Sequence, residues 1–163
     1  MGQDGLAPLP TEHPMSFSQP SLKGRALRLL SGREYSRAEL ERKLKSFEEE
    51  PGSLAQALDE LQAKGFISEQ RVIESVVHRR AAKLGTARIK QELQGKGLDP
   101  VAVSAALMGL KATEHERALA VWRKKFGVPP VDALAAAKQM RFLAARGFGG
   151  DVIRRVVGGA NDD

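Results

Sequence analysis

The feature that most constrains this chain is that it repeats itself. Sliding the sequence by 49 residues lays Leu40, Leu44, Leu54, Leu58 and Leu61 on Ile89, Leu93, Val103, Leu107 and Leu110. The turns recur too: "QGKGLDP" (94–100) closes one helical stretch, and "ARGFGGD" (145–151) closes another about fifty residues later. A further echo links "RALRLL" from Arg25 to "RALAVW" from Arg117. An apolar pattern recurring at this period marks tandem units, each too small to bury its own apolar face and closed by stacking on its neighbours. The expected fold is therefore all-α: three tandem three-helix repeats forming an elongated solenoid with room to curve.

Composition agrees with helices. One Trp, one Tyr and six Phe leave few aromatics for a β-sandwich, and 42% apolar residues suffice for a core. In the first unit, Leu27 and Leu30 share a face of a helix that Gly32 ends. Ser36 with Glu39 forms a capping box for a second helix, and Leu54, Leu58 and Leu61 begin a third that stops at Lys64-Gly65. In the second unit, Ser68 caps a helix carrying Ile73, Val76 and Val77, with Gly85 closing it. Thr86 opens a helix with Ile89 and Leu93, and Gly97 turns the chain into a third lined by Val103, Ala106, Leu107 and Leu110. The third unit is read as separate helices over Glu116–Gly127, Asp132–Arg146 and Gly149–Val157.

The resulting division is a flexible tail over 1–20, units over 21–67, 68–112 and 113–157, and a C-terminal tail over 158–163. The first twenty residues hold four of the eight prolines and no helical period, hence the tail. No apolar run is long enough to span a bilayer and no signal peptide is visible, so a protein of the cytoplasm is expected. With no cysteine, disulfides and thiol catalysis are excluded.

Charge is uneven. Residues 34–64 carry five Lys/Arg against eight Asp/Glu, 71–96 carry seven against two, and 117–146 carry seven against one. The basic excess belongs to the second and third units, and a net +6 points to an anionic partner. Arg79 and Lys83 stand four apart on what reads as one helix, where like charges repel unless an anion faces them. Arg88, Glu92 and Lys96 read instead as a salt-bridged ridge. "HERAL" at His115 has Leu119 where the HExxH zinc helix needs its second histidine. No phosphate-loop motif occurs, and "GFGGDV" reads as a helix C-cap followed by an N-cap more simply than as a phosphate turn. Neither a catalytic residue nor a metal or cofactor site is expected.

"SRAELERKL" (36–44), "ALDELQAKGFISEQRVIESVVHRRAAKLG" (57–85) and "ARIKQELQGKGLD" (87–99) resemble the RecX regulatory proteins of bacteria over roughly Lys23 to Val157. One departure lies before the "RI" motif, where the family commonly has Gly-x-Gly-Pro and this chain has Thr86-Ala87, with Thr86 expected to cap the helix. The resemblance implies tandem three-helix repeats and a non-enzymatic regulator of the RecA recombinase. Such a regulator lodges in the groove of the RecA filament on single-stranded DNA and damps extension, ATP hydrolysis, strand exchange and co-protease activity. Charge alone, not the motif, nominates the contact set: Arg79, Arg80, Lys83, Lys90, Arg123, Lys124, Lys125, Arg141 and Arg146. A monomer is expected, with weak direct DNA binding left open. Two other classes stay open as well, a stand-alone DNA-binding helical protein and a helical scaffold for an acidic protein. Against the first, no helix gathers Arg, Asn and Gln on one face for base reading.

Overall fold

The structure, a computed structural model, describes Gly5 and residues 19–159; the expected tails over 1–20 and 158–163 fall largely outside the described residues. Among the described residues eight α-helices follow in order: α1 (Leu22–Gly32), α2 (Arg37–Leu44), α3 (Ser53–Ala63), α4 (Glu69–Arg80), α5 (Thr86–Gln94), α6 (Pro100–Lys125), α7 (Ala133–Ala145) and α8 (Gly150–Gly159). A 3₁₀ turn, Lys45–Phe47, extends α2. The all-α class and the three-helix repeat hold.

Local chemistry explains most of the boundaries. Ser21, Ser36, Ser68 and Asp132 each accept a backbone N–H of the first turn of the following helix. At α2 the full capping box forms, with Glu39 Oε1 accepting Ser36 N–H at 3.0 Å. Asp99 precedes Pro100 at the start of α6, as proline's fixed φ favours.

Two expectations about elements change. The third helix of the second unit and the first helix of the third are one continuous α6, because nothing in "LKATEHERAL" (110–119) breaks a helix. Thr86 is not a cap: Gly85 takes that position without a side-chain bond, and the Thr86 N–H is instead met by Glu114 Oε1 at 2.9 Å.

The reason for the repetition also changes. Each unit closes its own small core. The first gathers Leu40, Leu58 and Leu61, the second Val72, Val76, Ile89 and Leu93, the third Trp122, Leu143 and Val157. Between units the contacts are mainly polar, and they use the same two parts twice. In the first seam, the turn after α5 sits on the start of α2: Ser36 Oγ donates to Lys96 O at 2.7 Å and Arg42 to Gly95 O at 2.8 Å. In the second seam, the turn after α7 sits on the start of α5: Gly85 N–H donates to Arg146 O at 2.8 Å, and Arg88 to Ala145 O at 2.8 Å. Ser36 and Gly85 are 49 residues apart, the spacing of the sequence repeat. The glycines of both turns have positive φ, Gly97 at 63° and Gly147 at 89°. A Cβ on Gly97 would press on Ala38, and one on Gly147 would overlap Arg88, so the turn needs glycine both for its backbone and for the closeness of the seam.

Candidate functional site: a cationic cleft between the second and third units

The nine nominated cations do not form one surface. Arg79 and Arg80 close on Glu92 of α5, with Arg80 Nε at 3.1 Å from Oε2 and Arg79 Nη2 at 4.0 Å from Oε1. The two share this one carboxylate, Arg80 closely and Arg79 at the limit of contact, so part of their charge is offset within the protein. The ridge expected from Arg88, Glu92 and Lys96 therefore does not exist: Glu92 turns to α4, Arg88 holds the second seam, and Lys96 pairs with Glu39 at 3.1 Å in the first. Lys83 is not on a helix with Arg79 either. α4 stops at Arg80, and Lys83 lies in the following turn, its N–H donating to Arg80 O at 3.0 Å. Lys90 lies on another groove, between α5 and α6, beside Leu98 and Val103. Arg123 and Arg141 are exposed on α6 and α7 and form no ion pair among the described residues.

The other four do converge. Lys83, Lys124, Lys125 and Arg146 line one open cleft of about 570 Å³, floored by Ala82, Ala120, Val121 and Phe142. Separate elements supply them: the α4–α5 turn, the last turn of α6 and the end of α7. The second seam holds these together, since Arg146 contributes its carbonyl to Gly85 while its side chain faces Phe142. Charge cannot neutralise itself here. None of the four forms an ion pair among the described residues.

The aromatic floor was not nominated from sequence. Phe142 takes the Arg146 guanidinium at 4.2 Å and Lys125 Nζ at 5.5 Å from its ring centre, and Phe126 meets it edge-on at 5.3 Å. Arg146 Nε is buried with no acceptor among the described residues. An anion entering the cleft would find several donors whose charge is not already offset.

Arg117, also not nominated, fixes the geometry of the cleft. It donates to Ala81 O at 3.0 Å, Leu84 O at 2.6 Å, Leu110 O at 2.9 Å and Thr86 Oγ1 at 3.2 Å, joining the ends of α4 and α5 to α6. Burial pulls its guanidinium below the ordinary value, with Glu114 opposing. Its role as a fastener depends on tertiary packing, and the repeated "RAL" was the one sequence sign that pointed to it.

The fold defines a class first: helical-repeat proteins assembled from three-helix domains. Residues 23–61, 68–107 and 112–157 match, in order, the first, second and third three-helix domains of RecX. The regulatory protein RecX of Leptothrix cholodnii is 54% identical over 139 residues, covering 85% of this chain and 88% of that protein. That of Ralstonia nicotianae is 48% identical, covering 86% and 89%. The crystal structure of RecX from Lactobacillus salivarius superposes with a TM-score of 0.72 at 21% identity, covering 87% of this chain and 96% of that one, a likeness of fold. The chain belongs to the RecX family of bacterial regulatory proteins. No helix among the described residues is long and apolar enough to cross a membrane.

Proposed function

We propose that this protein is a non-enzymatic regulator that binds the RecA recombinase and its filament on single-stranded DNA. In doing so it limits filament extension, ATP hydrolysis, strand exchange and co-protease activity. The observation that carries the reading is the cleft of Lys83, Lys124, Lys125 and Arg146, whose charge is uncompensated within the described residues of a RecX-family chain. A filament groove is long and repetitive, so a tandem array of units can make several weak contacts along it at once. Action on such a filament belongs to the cytoplasm.

Binding to RecA filament, free RecA, bare single strand and duplex, measured side by side, tests the reading. Filament should bind best, and the bound protein should slow RecA ATP hydrolysis. The variant Lys83→Glu/Lys124→Glu should weaken filament binding and relieve the inhibition, with its helix content unchanged because both side chains are exposed. Equal binding to all four partners, or full inhibition by that variant at wild-type concentration, would overturn the proposal.

A further inference from the structure

The first unit holds a cleft in the place within its three helices that the cationic cleft occupies in the third. The third-unit cleft lies between the C-terminal half of that unit's first helix, the end of α6, and the end of its second helix, α7. In the first unit, Arg25, Arg28 and Leu29 of α1 face Lys43 and Leu44 at the end of α2, with Phe47 beyond them, around about 610 Å³. The materials match as well as the position: cations at the rim, aliphatic side chains and one phenylalanine at the floor. In the second unit the corresponding helix ends carry ion pairs instead. There the end of α4 and the back half of α5 are tied by Arg79, Arg80 and Glu92. Lys43 in the first unit and Glu92 in the second are 49 residues apart. A lysine that lines a cleft in the first unit is thus a glutamate that pairs with two arginines in the second.

Nothing acidic among the described residues neutralises the first-unit cleft. Arg25, Arg28 and Lys43 form no ion pair there, although Lys23, a neighbour on the same helix, pairs with Glu60. Phe47 is 45% exposed, and one face of its ring is covered by the Arg25 guanidinium at 3.8 Å. Arg25 is itself held by Gln19 Oε1 at 2.7 Å. Beyond Phe47 the surface turns acidic, with Glu49 and Glu50 lining an adjoining hollow. That hollow shares Arg25 and Phe47 with the cleft, so the Arg28–Lys43 side is the one that favours an anion.

We propose that the Arg25–Arg28–Lys43–Phe47 cleft is a second binding site, for a nucleotide of single-stranded nucleic acid, the base against Phe47 and the phosphate between Arg28 and Lys43. This deepens the proposed function and rests on the polyanion reading of the third-unit cleft. Single-strand sites combine a cationic track with an aromatic platform, and the volume falls within the range of roughly 300–1,000 Å³ usual for small-ligand sites. An acidic peptide would use the cations, but its Asp and Glu side chains bring no aromatic ring to stack on Phe47. One cleft lies in the first unit and the other between the second and third, so the array offers two separate cationic sites to a strand.

Fluorescent oligo-dT binding by the full chain, at several salt concentrations, tests this. The variant Arg28→Glu/Lys43→Glu should lose affinity for a long oligo-dT and flatten the slope of log affinity against log salt by about 1.4, two phosphates at roughly 0.7 each. Phe47→Leu, which keeps an apolar floor, should weaken binding about tenfold with the slope unchanged, as expected when one base stack is lost. Arg28→Lys/Lys43→Arg should bind like wild type, showing that charge and not a folding defect is read. Wild-type affinity and slope in the Arg28→Glu/Lys43→Glu variant would overturn the proposal, as would loss of binding to oligo-glutamate while oligo-dT binding is kept. If those variants bind oligo-dT normally while wild type still inhibits RecA, this site fails and the regulatory reading stands. If wild type does not inhibit RecA yet oligo-dT binding needs Arg28, Lys43 and Phe47, the reverse holds.

Discussion

Gly147 shows how much of the assembly depends on single residues. Its φ of 89° lies where an L-residue costs roughly 1–2 kcal/mol, and an added Cβ would overlap Arg88 in the preceding unit. Gly65 has a similar φ of 82° but open space around it. Gly147→Ala should therefore destabilise by about 2–4 kcal/mol, backbone and overlap together, and Gly65→Ala by only about 1–2 kcal/mol. Urea midpoints of the two variants check this, and equal losses would show that the seam does not need the close approach. Glu39 plays the corresponding part in the first seam. Burial opposes its charge, but hydrogen bonds from Arg33, the Ser36 N–H and Lys96 prevail and hold its pKa at about 2, against an ordinary 4.5. Because the folded value is the lower one, its contribution to stability is complete above pH 4.5 and is lost as the pH falls toward 2. Glu39→Gln should cost about 1–3 kcal/mol at neutral pH by leaving Lys96 and Arg33 short of a partner. Between pH 4.5 and 2 its stability should fall less steeply than that of the wild type, as acid titrations of the unfolding midpoint would reveal.

At the scale of elements, α6 decides how the second and third units are joined. A 26-residue helix shared by two units leaves no loop between them, so their relative angle is set by helix stiffness and by what grips it. Arg117 is the main grip, reaching the ends of α4 and α5. Gly109, in the first half of α6, has open space around its would-be Cβ. Gly109→Ala should stabilise the protein by about 0.5–1 kcal/mol, the usual difference in a helix interior. A thermal melt followed by circular dichroism measures it, and a fall in stability would mean that α6 needs flexibility at that point. α2 and its 3₁₀ turn matter differently, since their short run brings both Lys43 and Phe47 to the first-unit cleft.

For the whole molecule, three separate cores joined by polar seams imply that cooperativity is carried by the seams. Trp122, the one tryptophan of the chain, is buried in the third core with its Nε1 donating to Gln139 Oε1 at 2.8 Å, so its fluorescence reports that unit. In the wild type, fluorescence and circular dichroism should give coincident urea transitions. Arg117→Ala/Gly147→Ala cuts the second seam and should split them, the tryptophan signal departing at lower urea. Coincident transitions in that variant would show that α6 alone couples the units. Salt should affect binding more than folding, because the cleft cations are uncompensated whereas seam charges such as Glu39 and Lys96 are paired and largely buried.

What the sequence determined by itself was what repeats at short range: helical periods, serine and aspartate caps, the 49-residue register and the family motifs, all of which depend on residues near one another in the chain. Helix identity and the three-unit plan follow from these. Tertiary structure decided which charges are available. Lys83, Lys124, Lys125 and Arg146 come from three elements and meet only because the turn at Gly147 sits on Gly85. Arg79 and Arg80 look equally basic in the sequence, yet Glu92 folds against them. Counting charge over 34–64 made the first unit look acidic, because its cationic cleft draws Arg25 and Arg28 from before that window. Charge compensation depends on distances of a few ångströms between segments far apart in the chain, and no local pattern encodes those distances.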